Sequence, residues 1–248
     1  ERPRREHGRG AGGGDVSSLG TFRTLSTDAH IPPSGAWLAT CVLDSSTLPP
    51  LGPTVLVVGD LQLVGQVIRR DFDDHPGGAR VVATVRGAAG WRLPVTHKGR
   101  YGGAGAHGDG GAVKLSTVLQ DLATMAGEGY VAPADVSLGE EYAWEAHAPL
   151  APVHCGDVLA DLVWRGYLPT WRAEPFSGLT RFDAWPPLGA ADGRGRIVGR
   201  AGSRGRRTVG LDVVVAAFLP GATLEGVTIA RTIIHETASD LRAEVYDR

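Results

Sequence analysis

The chain has 248 residues, a formal net charge of −2 and 42% hydrophobic residues, enough apolar material for one large or two small domains. Its two cysteines, Cys41 and Cys155, offer neither a disulfide framework nor a zinc spacing, so both are expected as small buried hydrophobes of a reducing compartment. No apolar run reaches about 18 residues and no signal-peptide pattern opens the chain, so neither a transmembrane helix nor stable membrane insertion is expected.

Glycine (36 residues) and proline (16) are abundant enough to require many turns between short strands. Lys98 and Lys114 are the only lysines and asparagine is absent. The arginine content therefore reads as GC-rich coding, and with the net charge of −2 it argues against a dedicated base-reading DNA binder. The first residue is Glu1 rather than methionine, so trimming or a partial gene product is expected.

Residues 1–19 are charged and then glycine-rich, too polar to stay ordered alone; they are expected as an extended arm held by a neighbouring subunit. Ala36–Leu43 reads as a strand, closed by Pro49-Pro50. Thr54–Val58 and Leu61–Ile68 form a hairpin about Gly59-Asp60. Asp71–Gly78 reads as a solvated acidic loop without the ligand spacing of a calcium loop. Ala79–Arg86 is a β-rich strand ending in Gly87-Ala88-Ala89-Gly90 and then Trp91. A side-chain-poor turn lets backbones approach closely, and the following tryptophan is expected to close a barrel core with its N–H on a carbonyl. The alternative is a ligand platform of Trp91 beside Arg86 and Arg92.

Tyr101–Gly111 is a glycine-rich connector, lacking the strand and helix that a dinucleotide fingerprint needs. Ser116–Ala126 is a helix with Leu115, Val118, Leu119, Leu122 and Met125 at helical spacing, Ser116 or a Thr117/Gln120 box as its cap, and Gly127 as its stop. Asp157–Arg165 is a second helix, with Val158, Leu159, Leu162 and Val163 inward. Tyr167–Ala173 and Leu179–Ala184 read as a hairpin. Asp192–Arg207 carries six arginines among glycine and serine, which reads as a solvated loop or an arginine contact to a partner. Thr208–Leu219 is a strand turned by Pro220-Gly221; Ala222–Leu224, Val227–Ile234 and Leu241–Tyr246 complete a meander.

The pieces predict a mainly β chain with a few helices: two β-barrel-like units joined by a helical segment. The expected divisions are an arm over 1–19, a first unit over 20–111, helices over 112–166 and a second unit over 167–248. The eight histidines form no helical metal pair, no G-x-S-x-G elbow occurs, and Glu140, Glu141 and Glu145 have no evident cleft. No catalytic, cofactor-binding or metal residue is therefore expected. The residues singled out for structural or interface roles are Gly90, Trp91, Pro220, Gly221, Arg194, Arg196, Arg204 and Arg206.

The order RGAAGWRLPV (86–95), a tyrosine, a glycine-rich loop and VKLSTVLQDLATMAGE (113–128) resembles the tail-hub proteins of tailed bacteriophages. So do SGAWLATCVLD (34–44) with VVGDLQLVGQVIR (57–69), and LPGATLEGVTIARTIIHE (219–236) with LRAEVY (241–246). The resemblance spans roughly 31–248 and includes the late-control hubs of contractile tails and the hub portion of type VI secretion spikes. It implies a structural virion protein, assembled in the host cytoplasm, at the baseplate or tail tip. It also implies a homotrimer joining a six-fold tube or distal tail ring above to a three-fold tip or spike below, with DNA only in transit through an axial channel. It implies no catalytic residues, and any spike or hydrolase is expected as a separate protein. The rivals are a tail-associated cell-wall-degrading enzyme and a carbohydrate-binding receptor module using Trp91, Trp171 or Trp185.

Overall fold

Alternation of apolar and polar residues, the period of a pleated strand, dominates the computed structural model. It describes residues 17–75, 78–95, 99–102, 112–144, 154–201, 205–212 and 214–247. The first six strands are β1 (Ser18–Leu19), β2 (Phe22–Ile31), β3 (Leu38–Leu43), β4 (Gly52–Val58), β5 (Leu61–His75) and β6 (Gly78–Arg86). They pair in the order β1-β4-β5-β6-β3-β2, and β1 pairs back onto β2, closing a six-stranded barrel. Inward positions of this barrel, among them Ala29, Ile31, Cys41, Leu43, Leu56, Leu63 and Val81, are buried.

A 3₁₀ turn (Ala89–Arg92) follows β6, then β7 (Gly99–Gly102), helix α1 (Leu115–Ala126), β8 (Glu141–Trp144) and helix α2 (Cys155–Trp164). Both helices pack on that turn. Leu115, Val118, Leu119 and Leu122 of α1 and Val158, Leu159 and Leu162 of α2 are buried, as their spacing predicts. The helix caps differ from expectation. Helix α1 starts one residue early, and Asp135 Oδ1, distant in sequence, accepts the Ser116 N–H at 3.0 Å. Helix α2 starts at Cys155 because Asp157 sits in its first turn and accepts the His154 N–H at 2.9 Å.

The remaining strands are β9 (Arg172–Ala173), β10 (Thr180–Arg181), β11 (Gly189–Ala190), β12 (Arg196–Ala201), β13 (Arg206–Gly210), β14 (Ala222–Leu224), β15 (Val227–Thr228), β16 (Arg231–Thr237) and β17 (Asp240–Tyr246). Strand β2 is the junction. Its first residues pair with β1, and Ser26–Ile31 pair with β16. From β16 the barrel's own sheet runs on through β17 and β13 to β12.

Three expectations are corrected. The acidic stretch from Asp71 is not a loop: Asp71, Phe72 and Asp73 pair with Val82, Val81 and Arg80, extending the β5–β6 hairpin past the end of β4. Backbone pairing with β6 carries this extension, although Asp71, Phe72 and Asp73 are all exposed. The Asp192–Arg207 stretch is also not a loop, because β12 and β13 make a hairpin there. Finally, the strand expected over Thr208–Leu219 stops at Gly210. Asp60 Oδ1 accepts the Val215 and Ala216 N–H groups at 2.6 and 3.0 Å, holding a 3₁₀ turn at Ala216–Phe218 that buries Val215 and Phe218. Side-chain capping and burial override the valine β preference there.

Candidate functional site

Trp91 lies where the barrel meets the two helices and is 2% exposed. Its Nε1–H donates to Thr180 Oγ1 at 2.6 Å, a hydroxyl rather than the carbonyl expected. Gly90 N–H donates to Glu128 Oε1 at 2.6 Å, and a Cβ at this position would strike the Ala126 carbonyl oxygen. Burial raises the Glu128 carboxyl above its ordinary value, and the Gly90 bond only partly offsets this. The indole is thus a core element, and the Trp91 platform with Arg86 and Arg92 is ruled out by its burial.

Gly221, at φ +92°, needs the left-handed backbone that glycine favours. With Pro220 it lines a cleft of about 640 Å³ together with Pro33, Trp185 and Val227. Trp185 donates to the Pro32 carbonyl at 3.3 Å, and the Arg172 guanidinium stacks on its ring at 4.6 Å. Trp171 is half-buried. Trp164, which sequence reading did not single out, is 84% exposed at the end of α2.

Among the described residues no group of three or more metal-ligating side chains comes together. Burial pushes the Cys41 thiol up to about 12 and raises that of Cys155, so both are poor nucleophiles. Glu141 lies in β8, and Glu145 lies outside the described residues.

The broadest polar feature is one face of the sheet. Eight strands in the order β5-β6-β3-β2-β16-β17-β13-β12 form a continuous path. Residues paired in register share a face. Ala29, Ala39, Val85, Ile234, Ala243 and Val209 mark the buried face. On the opposite face, transverse rows can be followed strand by strand. One row runs Arg69, Thr84, Thr40, Asp28, His235, Arg242, Gly210, Arg196. The row beside it runs Gln66, Arg86, Leu38, His30, Ile233, Glu244, Thr208, Gly199. His235 Nδ1 lies 2.5 Å from Asp28 Oδ1, and Arg206 lies 3.5 Å from Glu244. Burial and the neighbouring Arg231 lower the affinity of His30 for a proton.

This eight-strand path has two unpaired ends. Among the described residues, strand β12 pairs only with β13, and β5 beyond Val67 pairs only with β6. Their residues differ in charge. The β12 end carries exposed Arg194 and Arg196, with Val198 60% exposed; the β5 end is mixed, carrying exposed Asp71 and Asp73 beside Arg69 and Arg70, with Arg69 paired to Asp71 at 2.6 Å and Phe72 54% exposed. Of the arginines singled out from the sequence, Arg196 and Arg206 stand on the polar face, Arg194 precedes β12, and Arg204 lies outside the described residues. The alternation in FRTLSTDAHI and RTIIHET was the available sequence signal for this face; which strand adjoins which was not.

Neither a protein-family model nor a curated protein sequence matches the chain. Solved structures do. The 43 kDa tail protein of prophage MuSo2 from Shewanella oneidensis is similar with a TM-score of 0.60 at 10% identity, covering 94% of this chain and 96% of that one. A tail protein from Neisseria meningitidis MC58 is similar with a TM-score of 0.61 at 12% identity, covering 94% and 95%. The Escherichia coli c3393 protein, a type VI secretion component described as structurally similar to the phage T4 tail proteins gp27 and gp5, is similar with a TM-score of 0.65 at 9% identity, covering 93% of this chain and 75% of that one. The chain therefore shares the mainly β fold of these tail and type VI secretion proteins, in line with the fold class that the sequence resemblance implied.

Proposed function

We propose that this chain is a structural tail protein: the hub that joins the tail tube, or a distal tail ring, to the tip or spike. The observation that carries the reading is the eight-strand path with a polar face and two different unpaired ends among the described residues, one basic and one of mixed charge. An open strand edge invites pairing with another chain. Two different edges on one molecule make a head-to-tail contact, which forms a ring of copies when the rotation between neighbours closes.

Three copies of an eight-strand path give twenty-four strands. At ~4.8 Å per strand their circumference is about 115 Å and their diameter about 37 Å before strand tilt, a wall wide enough for a nucleic-acid duplex. Within each chain, four strands of the path come from the barrel (β5, β6, β3, β2) and four from the C-terminal part (β16, β17, β13, β12). A trimer thus presents six four-strand panels, matching a six-fold ring on one side while keeping three-fold symmetry for a tip on the other. In this reading the two β regions act as the two units of each subunit, with the helical segment between them in sequence. Of the stretch expected as an arm, Ser18–Leu19 belong to this chain's own barrel as β1 and residues 1–16 lie outside the described residues; DNA passes through the ring without being read.

The shared fold of phage tail proteins supports this placement in the virion tail and a role in assembly rather than catalysis. Gold-labelled antibody against the chain, applied to intact particles, tests it. Label at the distal end of the tail is expected. Label on the head, or hydrolysis of peptidoglycan by the purified chain, overturns it.

A further inference from the structure

The polar sheet face is unevenly charged along its strands. Its first row pairs Arg231, Tyr246 and Arg206; the second holds Arg86 and His30 with Glu244; the third holds Arg69, His235, Arg242 and Arg196 with Asp28. These three rows carry six arginines against two carboxylates. The next rows turn acidic, with Asp71, Asp240 and Asp73 against Arg80. In a chain whose net charge is −2, that is a local concentration of positive charge.

Much of it has no internal partner. Arg86, Arg196 and Arg231 have no carboxylate partner among the described residues, and the Nε atoms of Arg86 and Arg231 are buried without a hydrogen-bond acceptor. The Arg231 guanidinium instead lies 3.9 Å from the centre of the Tyr246 ring, its partner in the first row. From β6 to β12 there are six strand steps, so Arg86 and Arg196 stand roughly 29 Å apart. Peptide recognition uses side-chain pockets or a strand edge, neither of which the middle of a broad sheet face provides. Non-specific phosphate binding needs only arginines spread over a surface.

We infer that the basic end of this face binds the phosphate backbone of double-stranded nucleic acid without reading its bases. In the ring of the proposed hub, on which this placement rests, the rows become a basic belt that holds the duplex and not merely a wall that lets it pass.

The test is fluorescence anisotropy of a labelled duplex of about 30 base pairs with the purified chain, beside a labelled poly-glutamate of similar charge. With about three phosphates neutralised, affinity should fall about forty-fold between 50 and 200 mM salt. Arg86→Gln with Arg196→Gln and Arg231→Gln should weaken duplex binding at least tenfold and flatten the salt slope. Arg196→Glu, at an exposed position that cannot unfold the core, should weaken it on its own. Arg181→Gln, on the separate β9–β10 pair, should leave it unchanged. Absence of binding at 50 mM salt, wild-type binding by the triple variant and by Arg196→Glu, or equal binding of poly-glutamate overturns the inference, the last in favour of an acidic protein segment. Gold labelling of particles carrying the triple variant separates the two proposals, since label at the tail end with duplex binding lost leaves the hub reading intact.

Discussion

Trp91 and Thr180, 89 residues apart in sequence, meet in the core, where the indole N–H donates to the threonine hydroxyl at 2.6 Å. Both are essentially buried. This bond ties the turn after β6 to strand β10, and the helices pack around it. Trp91→Ala should destabilise the fold by about 3–5 kcal/mol, a large share of a typical domain stability of about 5–15 kcal/mol. Thr180→Val keeps the shape but orphans the indole N–H, and should cost about 1–3 kcal/mol. Urea denaturation followed by tryptophan fluorescence measures both. An unchanged midpoint in Trp91→Ala would remove this residue from the core.

Gly90 is the tightest point of the same corner. A methyl group there meets the Ala126 carbonyl at the end of α1. Gly90→Ala should destabilise by about 1–3 kcal/mol through overpacking, and Gly90→Val by more. Thermal unfolding of the two variants checks the order.

Glu128 supplies a pH-dependent prediction. Burial raises its folded-state affinity for a proton. The folded chain then holds this proton at pH values where the unfolded chain has lost it. Its contribution to stability is therefore complete below the unfolded carboxyl value, about pH 4.3, and is lost as pH rises through the folded value. Glu128→Gln keeps an oxygen for Gly90 N–H and removes the buried charge. The variant should melt higher than the wild type at pH 7, with the difference vanishing near pH 4. A constant difference across that range would show that ionisation is not its cause.

Four of the six barrel strands, β3 to β6, were legible in the sequence because their turns are, whereas β1 and β2 were not read as strands. Gly59-Asp60 and the glycine run before Trp91 mark strand ends by local chemistry, and alternation marks their faces. Strand β5 ran on to His75 because its pairing partner, not its own residues, decides its length. Val214 and Val215 failed as a strand signal because Asp60, far away in sequence, caps a different turn. The arginines of 192–207 were visible as a candidate contact, but their hairpin and row positions depend on the register with β17. The polar face could be read only strand by strand; its width and its two open ends depend on neighbours that the sequence does not order.

If those ends pair between copies, Phe72→Cys with Val198→Cys should cross-link one chain to the next. Both native positions are exposed, and Cys41 and Cys155 are buried and will not compete. Assembled particles carrying both substitutions should yield a disulfide-linked trimer on a non-reducing gel, and either substitution alone should not. Replacing Arg194, Arg196 and Arg206 by glutamine should weaken assembly in a salt-sensitive way while leaving the melting temperature within about 1 °C, because surface charge pairs contribute little to folding.

The most direct measurement is the symmetry of this protein within the tail, by cryo-electron microscopy of intact particles. Three copies are expected around the axis, with β12 of each copy beside the outer edge of β5 in the next and the polar face turned to an open channel. Six copies in the ring, or a ring whose β12 edges face solvent, would contradict the hub reading.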